Sequence, residues 1–332
     1  MRAIVTRLMP DKRREKVLVD NWPDPKRPAG NQVKTRTLYS GVTNGTERND
    51  LVRGNYANPD EKLPAGWGYQ NVGRVVEVGP EVKELKVGDV LYMSQDHVEY
   101  CLEAESGLHC KLPPEVDPKH AALFGMASVA MRSCRNADLR MGQKLLVVGA
   151  GFIGQVAAQI ANVMGARVTI CDIDEGRLDL ARKIGAAEGV LNTAGEGWAK
   201  NIQDRSYNAV LDVAGVVGME DKLIRAAAVR GTVLFIAGRF KVEYTFNSGQ
   251  GREIVIKRTA TSTTMTWPIS AAWSPGAWSG SARLFRTWFP RPRPIASTRS
   301  CATSPTSCAA PSSPGRKGEF TCPATGRSGW LS

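Results

Sequence analysis

At 332 residues, with 42% hydrophobic and 23% charged residues, the chain is long enough for two domains with cores of their own. No run approaches the ~18 apolar residues of a membrane span, and the opening MRAIVTRLMPDKRREK is too charged for a secretory signal. Seven cysteines without regular spacing exclude a disulfide scaffold and predict a reducing, cytoplasmic setting. The net charge of +12 invites a nucleic-acid reading, but residues 259–332 hold eight Lys/Arg against one acid, Glu319, which leaves +5 for the 258 residues before them. That is an ordinary balance for a protein acting on small molecules, so a nucleic-acid partner rests on the tail alone.

Residues 1–125 read as a β-rich domain. Strands are predicted at Met1–Leu8, Lys16–Trp22 and Asn31–Ser40, the last with Val33, Thr35, Thr37 and Tyr39 on one face. Further strands follow at Tyr69–Gly79, after the turn Val87-Gly88-Asp89, at His97–Leu102 and at Cys110–Pro113. Small residues over Pro118–Ala130 predict a closely packed helix.

Residues 126–258 change to alternating strands and helices. Leu145–Val148 is a short apolar run of the kind buried on both faces of a sheet. It leads into Gly149-Ala150-Gly151-Phe152-Ile153-Gly154, which fits G-x-G-x-x-G. The first glycine permits a tight turn, the second lets a pyrophosphate approach the backbone, and the third lets the helix pack close to the strand. A helix from Phe152 to Met164 would aim its free N–H groups and positive end at the phosphates. A second strand, Arg167–Cys171, ends at Asp172, 18 residues beyond Gly154. A carboxylate there accepts from both ribose hydroxyls of NAD and repels the 2′-phosphate of NADP. A helix from Asp174 or Glu175 to Ile184, closed by Gly185, comes next. Strands at Gly189–Leu191, Asn208–Val213, Thr232–Ala237 and Glu253–Lys257, with a helix at Met219–Val229, complete a six-stranded doubly wound sheet. Its ligand belongs at the strands' carboxyl ends, where Phe152, Ile153, Ile173, Ala214 and Gly238 join the glycines and Asp172 as cofactor candidates.

The segments YSGVTNGTE, GWGYQNVGRVVEVG and VGDVLY, followed by the glycine motif, resemble the medium-chain dehydrogenase/reductase superfamily over residues 1–258. The resemblance implies a GroES-like catalytic domain, a Rossmann NAD-binding domain, a substrate cleft between them and hydride transfer to or from an alcohol, a carbonyl or an activated alkene. A homodimer is expected too, because Gly238 and the Glu253–Lys257 strand lie where such enzymes often pair. Zinc-dependent members carry Gly-x-Cys and Gly-His-Glu. Here Thr43, Tyr69 and Gln70 stand at those positions, and Gly125-Met126-Ala127 occupies the region of the last ligand. None is a good zinc ligand, and no closely spaced cysteine quartet supplies a structural site, so no metal is expected. Thr43, Thr46, Tyr69, Gln70 and Ser128 are then the candidates to polarise the substrate oxygen. Thr46 resembles the family's relay hydroxyl and Glu47 the acid beside it, while His97 is an acid–base candidate. The zinc-free loop resembles the bacteriochlorophyllide dehydrogenase branch. A non-catalytic NAD-binding protein or broken paralogue is the competing reading.

From Thr259 the chain changes character. Residues 259–332 hold nine of the 19 prolines and five of the eight tryptophans, with no helical or alternating period. This composition points to a GC-rich gene read out of frame. With the third base of each codon joined to the first two of the next, Met265-Thr266 forces Asp, Trp267-Pro268 forces Ala and Trp288-Phe289 forces Val. Permitted choices elsewhere restore a helix, a strand, a second helix and a last strand. An insertion or deletion near codons 258–260 is therefore expected, with a true divergent tail as the alternative.

Overall fold

A computed structural model describes residues 1–52, 54 and 61–259. The frameshift expected from Thr259 onward falls, beyond that first residue, outside the described residues.

The N-terminal half is built from antiparallel sheets. Strands β1 (Ala3–Leu8) and β2 (Arg14–Val19) pair with the two-residue β4 (Ala65–Gly66) in the order β2-β1-β4. Strands β3 (Gln32–Ser40), β5 (Asn71–Val78), β6 (Val90–Met93), β7 (Tyr100–Ala104) and β8 (His109–Lys111) form a second sheet in the order β7-β3-β5-β6-β8. The strands alternate as the sequence does. Val33, Thr35, Val72, Val75, Leu91 and Cys101 are buried between them. The expectation that Tyr39 shares the inward face of β3 fails. The register slips between Thr37 and Tyr39, and the extra residue turns Tyr39 outward, 45% exposed.

Thr46–Leu51 forms a short helix, α1, that the polar stretch TERNDL did not announce. The single helix expected over Pro118–Ala130 is two. Asp117 caps α2 (Pro118–Ala121) by accepting from the Lys119 N–H at 2.8 Å, with Pro118 in its first turn. Helix α3 (Phe124–Asn136) then runs past the predicted end, because Ser133, Cys134 and Ala137 continue the buried face that meets the next helix.

The second half is the six-stranded parallel sheet. Its strands are β9 (Lys144–Val148), β10 (Arg167–Asp172), β11 (Gly189–Asn192), β12 (Tyr207–Asp212), β13 (Ala227–Phe235) and β14 (Val255–Arg258). They lie in the order β11-β10-β9-β12-β13-β14, every neighbour parallel. Helices α4 (Phe152–Val163), α5 (Glu175–Lys183) and α6 (Glu220–Ala226) cross between strands. Leu145 and Val147 face one core with α3, α4 and α5, whereas Leu146 and Val148 face another with α6. Burial on both faces is why this run is apolar throughout. Strand β13 begins five residues earlier than expected, and α6 is correspondingly shorter. Tyr207 pairs with Ala227 and Ala209 with Thr232, so residues 228–231 form an excursion, with Arg230 at φ 58°.

The strand order reverses between β9 and β12. Connections leave that point in opposite directions and open a crevice at the carboxyl ends.

Candidate functional site

The crevice is a cleft of about 560 Å³. One wall is the glycine turn, Cys171, Asp172, Ile173 and the segment after β12. The other wall is Asn44, Gly45 and Arg48 from the β3–α1 loop and α1, with Met126 from α3. The two halves of the chain therefore meet across it.

The glycine motif builds the floor. Gly149 sits at φ 102°, a conformation that side-chain-bearing residues rarely adopt. Gly151 is the extended N-cap of α4, and an added Cβ there would meet nothing within 4 Å on the protein side. Gly154 is the opposite case, since a Cβ would lie 1.8 Å from the Gly149 carbonyl oxygen. Phe152 and Ile153 begin α4 at the edge of the cleft. This is the cradle that a pyrophosphate requires, with open space over the second glycine and unpaired helix N–H groups beside it.

Asp172 lies at the end of β10, its side chain 6% exposed. One carboxylate oxygen accepts from the Ala150 N–H at 2.6 Å and the other from the Asp174 N–H at 3.0 Å. Two backbone donors thus fix its orientation, and each oxygen retains a lone pair for a ribose hydroxyl. Arg177, which sequence reasoning overlooked, also lines the cleft. Its guanidinium stands 3.6 Å from Asp172 and is 49% exposed. The available signal was its place in the first turn of α5, where Asp174 accepts from its N–H at 3.1 Å. Ile173 and Ala214 line the cleft as well, whereas Gly238 is exposed just beyond β13 and does not. These residues fit a dinucleotide. Gly149–Gly154 would hold the pyrophosphate, Asp172 the ribose, and the bound nicotinamide would supply hydride-transfer chemistry.

The other candidates gather behind the opposite wall, and none of Thr43, Glu47, Tyr69, Gln70 and His97 lines the cleft itself. Thr43 Oγ1 and Tyr69 Oη are 3.0 Å apart, and the tyrosine hydroxyl reaches the Met126 sulfur at 3.5 Å. Met126 therefore links this pair to the cleft. Gln70 is fully buried, and its Oε1 accepts from the Met126 N–H at 3.2 Å. A Cβ on Gly125 would strike the Tyr92 hydroxyl and Gln70, so the start of α3 can approach only as glycine. Behind them, Glu47 and His97 form a buried pair, Nε2 to Oε1 at 2.6 Å, each side chain 2% exposed. The second Glu47 oxygen accepts from the Thr43 N–H. His97 Nδ1 has no partner among the described residues. The ring abuts Trp67 edge-on at 5.1 Å and borders a separate shallow depression with Arg2, Thr37 and Ser40. Thr46 is exposed at the start of α1, and Ser128 bonds the Gly125 carbonyl inside α3. Neither is brought to the Thr43–Tyr69 pair.

Zinc does not fit this wall. Thr43, Tyr69, Gln70 and Met126 offer two hydroxyls, an amide and a thioether, without a thiolate, imidazole or carboxylate among them. Among the described residues no three His, Cys, Asp or Glu converge on a possible metal position. No helix of the described residues is long and apolar enough to cross a membrane.

Residues 29–139 match the alcohol dehydrogenase GroES-like domain family, and residues 153–274 match the zinc-binding dehydrogenase family. The second match reaches into the segment where the composition changes. A zinc-type alcohol dehydrogenase-like protein of Escherichia coli is 26% identical over 269 residues, covering 69% of this chain and 76% of that protein. Human sorbitol dehydrogenase is 30% identical over 199 residues, covering 51% of this chain and 55% of its own length. The crystal structure of 2R,3R-butanediol dehydrogenase from Bacillus subtilis shares the fold with a TM-score of 0.67 at 19% identity, over 82% of this chain and 86% of that one.

Proposed function

The chain belongs to the medium-chain dehydrogenase/reductase superfamily and is an NAD(P)-dependent dehydrogenase/reductase, and from that premise we propose that it uses NAD(H) and acts without zinc. The substrate is an alcohol or carbonyl, or an activated alkene. The observation that carries the zinc-free reading is the Thr43–Tyr69 hydroxyl pair, 3.0 Å apart, at the positions where the sequence resemblance implies ligands in zinc-dependent members. In this reading the two hydroxyls hold the substrate oxygen by hydrogen bonds and stabilise the charge that develops on it. Gln70 fixes the start of α3, and the buried Glu47–His97 pair holds the Thr43 backbone in place. Asp172 favours NADH over NADPH, although Arg177 beside it offsets part of its charge. The outer edge of β14 is open among the described residues, which supports a homodimer joined there. Four buried cysteines without disulfides among the described residues, Cys101, Cys110, Cys134 and Cys171, support a cytoplasmic site of action.

The test is a fluorescence titration with NADH and NADPH, paired with metal analysis of chelated and untreated protein and a panel of alcohols, ketones and enones. NADH is expected to bind more tightly than NADPH, no stoichiometric zinc is expected in either the chelated or the untreated protein, and turnover is expected to survive chelation. One tightly held zinc per chain, lost together with activity, would refute the zinc-free reading. A folded protein that binds neither nucleotide would refute the cofactor reading.

A further inference from the structure

Three charged side chains outside the glycine motif are almost wholly buried at the carboxyl ends of β12 and β13. Asp212, Glu220 and Arg239 are 1%, 3% and 5% exposed. Asp212 and Glu220 lie 27 and 19 residues before Arg239 along the chain. The Arg239 guanidinium bridges the two acids. One Nη bonds Asp212, the other reaches Glu220 at 3.1 Å, and the plane lies 5.2 Å from the Phe235 ring. The remaining carboxylate oxygens turn to the segment between β12 and α6. Asp212 accepts from the Ala214 and Gly215 N–H groups at 3.2 and 2.9 Å, and Glu220 accepts from the Gly218 N–H at 2.7 Å. That segment is one wall of the cofactor cleft, through Val213, Ala214, Val216 and Met219. Val216 and Val217 are themselves exposed and anchor nothing.

A buried trio of two carboxylates and one arginine is a poor way to gain stability, because desolvation cancels much of the attraction. It is a good way to fix geometry, since a planar fork accepts only one arrangement of its partners. We propose that Arg239 is a positioning residue for the cofactor. It does not line the cleft, but by orienting Asp212 and Glu220 it holds the 213–219 wall in its binding shape. The inference rests on the dinucleotide reading of the cleft.

The test uses the full chain and compares Arg239→Lys, Glu220→Gln and, as control, Lys222→Met. Lys222 is another largely buried cation, on α6, that bonds Asp204 and the Ile202 carbonyl. Hydrogen exchange of the nucleotide-free protein and NADH titration are both measured at a temperature where every variant is folded. Arg239→Lys and Glu220→Gln are expected to speed exchange at Ala214, Gly215 and Gly218 at least tenfold and to raise the NADH Kd severalfold. Lys222→Met is expected to lower the melting temperature while leaving both quantities within twofold. Unchanged exchange at the three amides in Glu220→Gln, a nearly isosteric change, would overturn the clamp. Faster exchange with an unchanged Kd would overturn its link to the cofactor. A wild-type protein that binds no NADH, yet shows the exchange effect, would locate the failure in the dinucleotide reading instead.

Discussion

Gly151→Ala and Gly154→Ala differ by three positions and should fail in opposite ways. At Gly154 a methyl would sit 1.8 Å from the Gly149 carbonyl oxygen and 3.3 Å from Val213 Cγ2. A carbon–oxygen contact needs about 3.3 Å, so the helix must retreat by about 1.5 Å or the turn must deform. Overpacking against backbone costs about 1–3 kcal/mol, and the upper end applies because a carbonyl held at φ 102° cannot rotate away. Alanine's better helix propensity returns about 1 kcal/mol. The net loss of about 2 kcal/mol corresponds to a melting temperature about 3 °C lower, at about 2.1 cal/mol/K of unfolding entropy per residue. NADH binding weakens as well, because the same carbonyl shapes the cradle. At Gly151 the backbone is ordinary, φ −68°, and no protein atom opposes a Cβ. Melting should move by no more than about 2 °C, since loss of the glycine cap and gain in chain stiffness nearly offset. The methyl instead occupies the space a pyrophosphate needs, and the NADH Kd should rise at least tenfold, about 1.4 kcal/mol. Differential scanning fluorimetry and fluorescence titration read the two quantities separately. Wild-type affinity in Gly151→Ala would show that the pyrophosphate does not lie over this residue, and an unmoved melting temperature in Gly154→Ala would refute the packing argument.

Tyr69→Phe should leave NADH affinity unchanged and lower kcat about 10²–10³-fold on any accepted substrate, the loss typical of one hydrogen-bond donor to a developing oxyanion; a loss below threefold would remove the hydroxyl from the chemistry. Burial holds the His109 imidazole below its ordinary value, so the unfolded chain takes up that proton first as pH falls. Stability should therefore drop on acidification from about pH 7 through the ordinary histidine value of about 6.5, and His109→Gln should narrow the difference in melting temperature between pH 7.5 and 5.5; equal differences in both proteins would contradict the assignment. Burial pushes the Cys171 thiol, which lines the cleft, up to about 12. At pH 8 iodoacetamide should leave its peptide unlabelled until urea is added, and rapid native labelling would show that the thiol is accessible. Finally, sequencing of the gene across codons 250–265 should reveal a missing or extra base, and an intact frame would make residues 259–332 the genuine C-terminal segment.

The parallel sheet was legible because strands buried on both faces need no partner to explain their pattern. Leu145, Leu146 and Val147 are all fully buried and read as a continuous run. The start of β13 was not legible, since Ala227-Ala228-Val229 suits a helix equally well and only pairing with Tyr207 makes it a strand. The glycine motif was legible because its demands are local: a left-handed turn, an open approach and a close contact within six residues. Arg239 was not, because its meaning comes from Asp212 and Glu220, which parallel pairing of β12 with β13 brings to it. The Glu47–His97 pair is intermediate. Each was a candidate by residue type, but their contact spans 50 positions and depends on how the loop after β3 packs.

The likeness to zinc-type proteins and the donors present here pull in different directions, and the difference is one of charge. A site of thiolates or imidazoles is held apart by mutual repulsion and unmet hydrogen-bond demand until a cation fills it. The residues at the corresponding positions here include no thiolate, imidazole or carboxylate, although Gln70 Nε2 is buried without a partner among the described residues. Thr43 and Tyr69 satisfy each other, and Gln70 has turned its acceptor to the backbone of Met126. Inserting a cation would break both contacts and return only neutral donors. Gly125 tolerates no side chain because a Cβ there would strike the Tyr92 hydroxyl and Gln70 Oε1, so α3 closes directly over them. On the proposed zinc-free reading a single cysteine at Thr43 should not recover metal binding, and one zinc per chain retained by Thr43→Cys after dialysis would overturn that reading.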